Sequence, residues 1–278
     1  MGKSIFGHTS GTVGLILVVT MIMVAVLAPV LAPHDPAEMK LMNRLKKPMT
    51  RTTDGTLYIL GSDSLGRDVL SRIIYGTTIS LLVGIAGAAI SLVIGCVFGL
   101  CAGYFGGTVD IILMRLTDIQ LAFPFVLLAL TILSIIGGGL TALIIVMGIG
   151  SWTNYSRVVR AETLSIKTRE FVEAARAITN KGSTIMWKHV LPNILGPVIV
   201  VTTFNIASNI LTEASLSFLG LGVDPSIPSW GTMLAESRDF LREAWWCATF
   251  PGLAIMISVL GINLLGDWLR DFLDPKLK

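Results

Sequence analysis

At 278 residues, 53% hydrophobic and 14% charged with a net charge of +3, the chain falls well below the roughly 25% charged residues of ordinary soluble domains. That balance excludes a water-soluble fold, and the absence of any basic run interleaved with stacking aromatics excludes a nucleic-acid surface. Cys96, Cys101 and Cys247 lie in apolar stretches, with Cys96 and Cys101 too far apart around a helix for a disulfide or metal pair, so they read as packing residues.

A helix needs about 20 mainly apolar residues to cross a hydrocarbon core about 30 Å thick. Five uncharged stretches reach that length. The first runs from Ser4 to His34, and its apolar body exceeds the roughly 7–15 residues of a cleaved signal peptide, so it is predicted as an uncleaved anchor. The others lie between Arg72 and Asp110, Asp118 and Arg157, Lys188 and Glu213, and Glu243 and Asp267. Between Asp118 and Arg157 stand 38 uncharged residues, about 57 Å as one helix, and Gly137, Gly138 and Gly139 interrupt them. A hairpin of two spans follows, its first arm starting near Asp110, with Arg115 and Asp118 spaced to pair. Six spans result, at 12–32, 77–103, 111–136, 140–158, 191–213 and 244–267: an all-α membrane protein with an anchor and long connection in 1–76 and a core in 77–278.

Orientation follows from Lys and Arg in short loops. Arg157, Arg160, Lys167, Arg169, Arg176, Lys181 and Lys188 fall between spans four and five, whereas the Gly137–Gly139 turn has none. The former is predicted to be cytoplasmic, which puts both termini there as well. Against this stands the 33–76 connection, placed outside, which carries Lys40, Arg44, Lys46, Lys47, Arg51, Arg67 and Arg72; a loop of that length is only weakly governed by the charge rule.

Within the cytoplasmic segment, Phe171, Ala174, Ala175 and Ile178 fall at i, i+3, i+4 and i+7, with Arg169, Glu170, Glu173 and Lys181 off that face. A short amphipathic helix outside the bilayer is predicted. Asn180 or Gly182 would end it in the left-handed conformation, Ser183 would cap a second helix, and Pro192 suits the first turn of the next span. Spacing alone leaves two readings open: a basic helix resting on lipid headgroups, or one whose small alanines admit a partner protein.

Elsewhere, Gly61–Asp68 reads as a turn in which Asp63 or Ser64 caps the helix into span two. Asn205, Ser208, Asn209 and Thr212 form a polar stripe facing either another helix or a water-filled path. Glu213 ends that span, in a structural role or lining the path. Asp118, Glu213 and Asp267 lie at span ends and no internal repeat is visible, which argues against a self-contained ion-coupled carrier. His8, His34 and His189 are scattered, so no metal constellation exists. Lys181-Gly-Ser-Thr184 lacks the glycine spacing of a phosphate loop, and no catalytic set stands out.

Glu173-Ala174-Ala175 followed by Leu191-Pro192 resembles the EAA loop of ABC-importer permeases. The segments Gly61–Arg72, Ala122–Pro124, Leu211–Val223, Pro228–Gly231 and Gly266–Pro275 narrow the likeness to the C-type permease subunit of dipeptide, oligopeptide and nickel importers, in collinear order over about residues 57–276. The resemblance implies a type I importer permease fold with a cytoplasmic coupling helix between spans four and five, in a loop at about 159–190. It implies that Phe171, Val172, Glu173, Ala174, Ala175, Arg176, Ile178, Thr179, Ile185, His189 and Pro192 meet the ATPase. It also implies a homologous second permease, two cytoplasmic ATPase subunits that bind the ATP and Mg, and an extracytoplasmic solute-binding protein. This chain would then be no enzyme and hold no cofactor, in a bacterial or archaeal cytoplasmic membrane. The path falls to Asn205, Ser208, Asn209, Thr212 and Glu213, and outer partner contacts to Asp63, Leu65, Gly66, Arg67, Asp68 and Trp230. Di- or oligopeptides are the implied cargo, with nickel chelates and oligosaccharides as alternatives. One departure stands out: Thr179 occupies the position where the family places the turn glycine, and a β-branched residue tolerates positive φ poorly.

Overall fold

The structure is a computed structural model that describes residues 9–53, 55–178 and 181–273. Helix α1 (Thr9–Val26) is followed by a four-residue α2 (Ala28–Leu31); Pro29, with no N–H to donate, sits in the first turn of α2 and marks the break. A connection with a small antiparallel hairpin, β1 (Thr50–Arg51) and β2 (Leu57–Tyr58), leads to α3 (Val69–Phe105). This hairpin is the described exception to an all-helical chain. Then come α4 (Gly107–Leu121), α5 (Phe125–Ile136), α6 (Leu140–Ile166), α7 (Glu170–Ile178) and α8 (Gly182–Ile185). A single π turn, Met186–Val190, carries α8 into α9 (Leu191–Phe218), and α10 (Trp230–Ser237) and α11 (Trp246–Leu273) complete the order. By length and composition α1, α3, the α8–α9 rod and α11 can each cross a membrane, and the α4–α5 pair is a fifth candidate.

Between helices in lipid the hydrophobic drive is weak, so close backbone approach at small residues holds them together. Helix α3 packs along α6 through Gly95 against Tyr155, Gly99 against Ser156 and Val159, and Gly103 against Thr163. Helix α9 packs on α3 and α11, and α1 lies on α11 with Gly11 under Trp268 and Gly261 under Leu17.

Four predicted features are corrected. The arm at 111–136 is not one rod: α4 and α5 meet at 83°, because Pro124 removes a backbone donor and pushes Phe123 out of the helical region. Asp118 accepts from Arg157 at 2.8 Å rather than from Arg115, since α6 runs beyond 158 and carries Arg157 and Arg160 beside α4; Arg160 holds Asp110 by two bonds of 2.5 and 2.6 Å. The cap of α3 is Asp68, whose Oδ2 accepts from the Ser71 N–H at 2.8 Å, and not Asp63 or Ser64. Lastly, α9 continues past Glu213 to Phe218, which turns that carboxylate from a span end into a helix interior.

Candidate functional site

Helix α7 sits at one end of the bundle, on a base built from α3, α6, the π turn and α9. Val172 is fully buried there, in one cluster with Leu100, Ile166, Ile185, Val190 and Ile194, and Ala175 is buried beside it. The predicted apolar face is therefore rotated: Val172 and Ala175 point inward, whereas Phe171, at 40% exposure, stands outward with Glu173, Ala174 and Arg176. Two overlapping apolar stripes are present in the sequence, and the shape of the base selects between them. The Ile178 side chain, Thr179 and Asn180 fall outside the described residues, so the departure at Thr179 does too.

Helix α7 contacts the end of α3, which is itself tied to α6. The Arg176 guanidinium lies 5.4 Å from the centroid of the Tyr104 ring, a cation–π contact to the end of α3, and Lys167 Nζ donates to the Gly103 carbonyl at 2.7 Å. Gly182 opens α8 in right-handed geometry and Ser183 lies inside it, so neither takes the predicted turn or cap role; Lys181 is the N-cap, without a side-chain capping bond. Ile185 is buried, His189 half-buried and Pro192 exposed. Trp187 is half-exposed on the π turn. The product is a fixed knob that presents an aromatic and both signs of charge.

The polar stripe of α9 divides. Asn205, Asn209 and Glu213, four apart, are buried against this chain's own helices, which corrects their assignment to a path. Asn209 donates to the Gly84 carbonyl at 3.2 Å and accepts from Ser151 at 3.3 Å. Glu213, with 0% exposure, accepts from the hydroxyls of Ser217, Ser229 and Ser80 at 2.8, 3.0 and 3.3 Å, tying α9 to α3 and to the start of α10. A buried carboxylate persists only where its oxygens are satisfied. Ser208 is exposed and Thr212 half-buried, the latter donating to the Ser208 carbonyl at 2.8 Å. Replacing Glu213 by Leu is expected to leave hydroxyls unpartnered and cost about 1–3 kcal/mol, read as a lower unfolding midpoint of the purified assembly, with Glu213→Gln losing less.

At the opposite end, four charges interlock. Asp63 accepts from the backbone of Leu65 and of Arg67, each at 2.9 Å, and from Arg67 Nε at 2.6 Å. Glu236 of α10 accepts from Arg67 Nη2 at 2.6 Å and Arg72 Nη2 at 3.1 Å, while Arg72 Nη1 lies 3.5 Å from Asp63. Gly66 is left-handed at φ 76°, and a Cβ there would stand 1.9 Å from the Lys40 carbonyl oxygen. Trp230 is buried and donates its indole N–H to the Ile73 carbonyl at 3.2 Å. As outer partner contacts Asp63, Gly66, Arg67, Asp68 and Trp230 are thus corrected: all are buried within this chain, and only Leu65 is partly exposed. Glu236 was missed because the signal, one acid in a largely apolar helix, has its partners far upstream in the chain.

Residues 95–278 match the family of binding-protein-dependent transport system inner membrane components, and residues 3–48 match the N-terminal transmembrane domain of oligopeptide transport permease C. A di/tripeptide transport system permease protein of Pseudomonas aeruginosa is 44% identical, covering 98% of this chain and 90% of that one. The dipeptide transport system permease protein of Alkalihalophilus pseudofirmus is 42% identical over 96% of this chain and 86% of its own length. A glutathione transport system permease protein of Pectobacterium atrosepticum is 41% identical over 98% and 88%. Among solved structures, an inward-facing form of the MetNI methionine ABC transporter superposes with a TM-score of 0.61 at 20% identity, over 74% of this chain and 97% of that chain, a likeness of fold. Helix order, the matched segments and these identities together place the chain in the binding-protein-dependent transport system inner membrane component family, as a helical membrane permease related to peptide transport system permease proteins.

Proposed function

We propose that this chain forms half of a translocation path for di- or oligopeptides and is driven through α7. The observation that carries the reading is the outward face of α7, where Phe171, Glu173, Ala174 and Arg176 project from a helix whose Val172 and Ala175 are locked into the bundle. An aromatic anchor on a rigid base, ringed by charge, is the composition of a docking hot spot. In this reading two cytoplasmic ATPase subunits, which bind the ATP and Mg, grip this helix and its counterpart on a homologous second permease. Closure of the ATPases carries α7 with it, and the spans rock between inward- and outward-facing arrangements.

The peptide names of the relatives support the cargo, which a separate binding protein would deliver from outside. Six spans are supported by the five membrane candidates together with α6, which is uncharged from Leu140 to Ser156. The Lys and Arg count around α7 supports a cytoplasmic location for that end and for both termini, in a bacterial or archaeal cytoplasmic membrane. The face of α9 that carries Ser208 and Thr212 is the part of the predicted stripe left to line the path.

Substituting Glu173→Arg, and separately Phe171→Ala, in the assembled transporter is expected to reduce peptide uptake and transport-coupled ATP hydrolysis about tenfold or more, equivalent to about 1.4 kcal/mol at the contact. Assembly of the spans should survive, because both side chains face outward. Uptake and coupled hydrolysis that both stay at wild-type levels would refute the docking role. A reporter at Gly138 should lie outside the cell and one at Lys181 inside.

A further inference from the structure

Residues 39–51, between α2 and α3, are tied by hydrogen bonds yet expose large apolar side chains. The Leu45 N–H donates to the Asp63 carbonyl at 2.9 Å, the Lys46 N–H to Ser62 Oγ at 2.8 Å and the Met49 N–H to the Tyr58 carbonyl at 2.8 Å, so residues 45–49 are fixed on the buried Asp63–Arg72 network. On that platform Met42 is 92% exposed, and Met39, Leu41 and Met49 are each more than half exposed. Leu45 and Met49 hold φ values of 52° and 62°, a region that L side chains rarely occupy. Leu45 packs against the cluster around Val69 and Trp246, whereas Met49 is the third residue of a turn begun by Lys47 and Pro48 and closed by the Thr50 N–H on the Lys47 carbonyl at 3.3 Å, which leaves the Met49 side chain in the open.

Charge identifies what covers the patch. Arg44, Lys46, Lys47 and Arg51 make no ion pair among the described residues, Arg44 lying 5.8 Å from the centroid of the Phe240 ring, and they interleave with the exposed Met and Leu side chains along the chain. Height identifies it too. Val26, Val30 and Leu31 expose apolar surface at the end of the first span, separated from the segment by residues 32–38 with the exposed acids Asp35 and Glu38, and the His34 N–H donates to Ser71 Oγ at 3.0 Å in the first turn of α3, which holds the chain level with the place where α3 begins. Apolar side chains beside cations that carry no ion pair at the end of a span are the composition of a membrane-surface anchor, in which the hydrocarbon groups enter the headgroup boundary and the cations meet phosphate.

We propose that residues 39–51 form an interfacial anchor, with Met39, Leu41, Met42 and Met49 inserted at the headgroup boundary and Arg44, Lys47 and Arg51 on anionic phospholipid. This assignment also resolves the excess of cations that the charge rule would place on the other side: Arg67 and Arg72 are neutralised inside the protein by Asp63 and Glu236, and the exposed cations are held by lipid. It depends on the chain spanning a membrane, and not on the cargo or on the docking of α7.

The test places a fluorophore on Met42→Cys in the assembled transporter, in nanodiscs with and without anionic phosphatidylglycerol. Cys96 and Cys247 are buried and Cys101 is half-buried, so labelling of the unsubstituted chain sets the background. A second reporter at the exposed Asp224→Cys serves as the aqueous reference. Expected is a severalfold higher ratio of quenching by lipid-borne doxyl groups to quenching by iodide at 42 than at 224. The ratio should fall in zwitterionic discs, and also when Arg44, Lys47 and Arg51 are together changed to Glu. Iodide quenching at 42 equal to that at 224 would overturn the proposal. So would protection from both quenchers, which would mark a protein interface, or a ratio indifferent to both lipid charge and the triple substitution.

Discussion

Replacing Gly99 by Leu is expected to destroy the assembled transporter rather than to impair it. At Gly99 even a Cβ would lie 2.6 Å from the Ser156 carbonyl oxygen and 2.7 Å from the Val159 Cβ. The first contact is with backbone, so no rotamer change relieves it and α3 must part from α6. Overpacking a core site costs about 1–3 kcal/mol when neighbours can yield, and here the loss should exceed that range because the whole α3–α6 seam shifts. Gly95, with the Trp152 carbonyl oxygen 2.5 Å from its added Cβ, should behave alike. Gly252 is the contrast: nothing lies within 4 Å of its added Cβ and it sits inside α11, so Gly252→Ala should not lower the unfolding midpoint and should raise it slightly, because Ala favours a helix over Gly by up to about 1 kcal/mol. Size-exclusion profiles and thermal midpoints of the purified assembly read all three. A monodisperse Gly99→Leu protein with an unshifted midpoint would contradict the seam.

A second large effect is expected at the charge cluster of Asp63, Arg67, Arg72 and Glu236, and its sign depends on how many charges are removed. Asp63, Arg67, Arg72 and Glu236 sum to zero, with Arg72 at 1% and Glu236 at 25% side-chain exposure. Arg72→Met leaves one uncompensated negative charge among buried groups, a change that costs about 3–5 kcal/mol in fully buried pairs; the partial exposure of Glu236 puts the expectation near about 3 kcal/mol. Adding Glu236→Gln restores neutrality, so the double variant should be more stable than Arg72→Met alone. Such non-additivity is the mark of a shared network. If the double variant instead loses the sum of the two single losses, the four groups do not act as a unit.

Much of this architecture was legible without coordinates. Length and charge-free stretches located the membrane helices, since lipid leaves little choice for a run of about 20 apolar residues. The α7 segment announced itself through period and composition, and its motif carried the family. Less legible were the details that depend on what lies opposite. Pro124 was in plain view, yet the 83° bend between α4 and α5 also needs α6 to pack against both arms. Trp230 and Arg67, read as surface contacts from their motifs, became interior groups because α10 folds back onto the start of α3.

From the sequence alone came the membrane setting, the order of the helices, the amphipathic segment before α9 and the family resemblance. Each of these is set by local composition and spacing, which water and lipid read along the chain. Only the tertiary structure decided which stripe of α7 turns outward, that Glu213 is enclosed by three serine hydroxyls instead of facing a path, and that Glu236 balances Arg67 and Arg72. Those outcomes depend on partners well separated along the chain, because a buried polar or charged group is stable only where folding brings its counterpart to it.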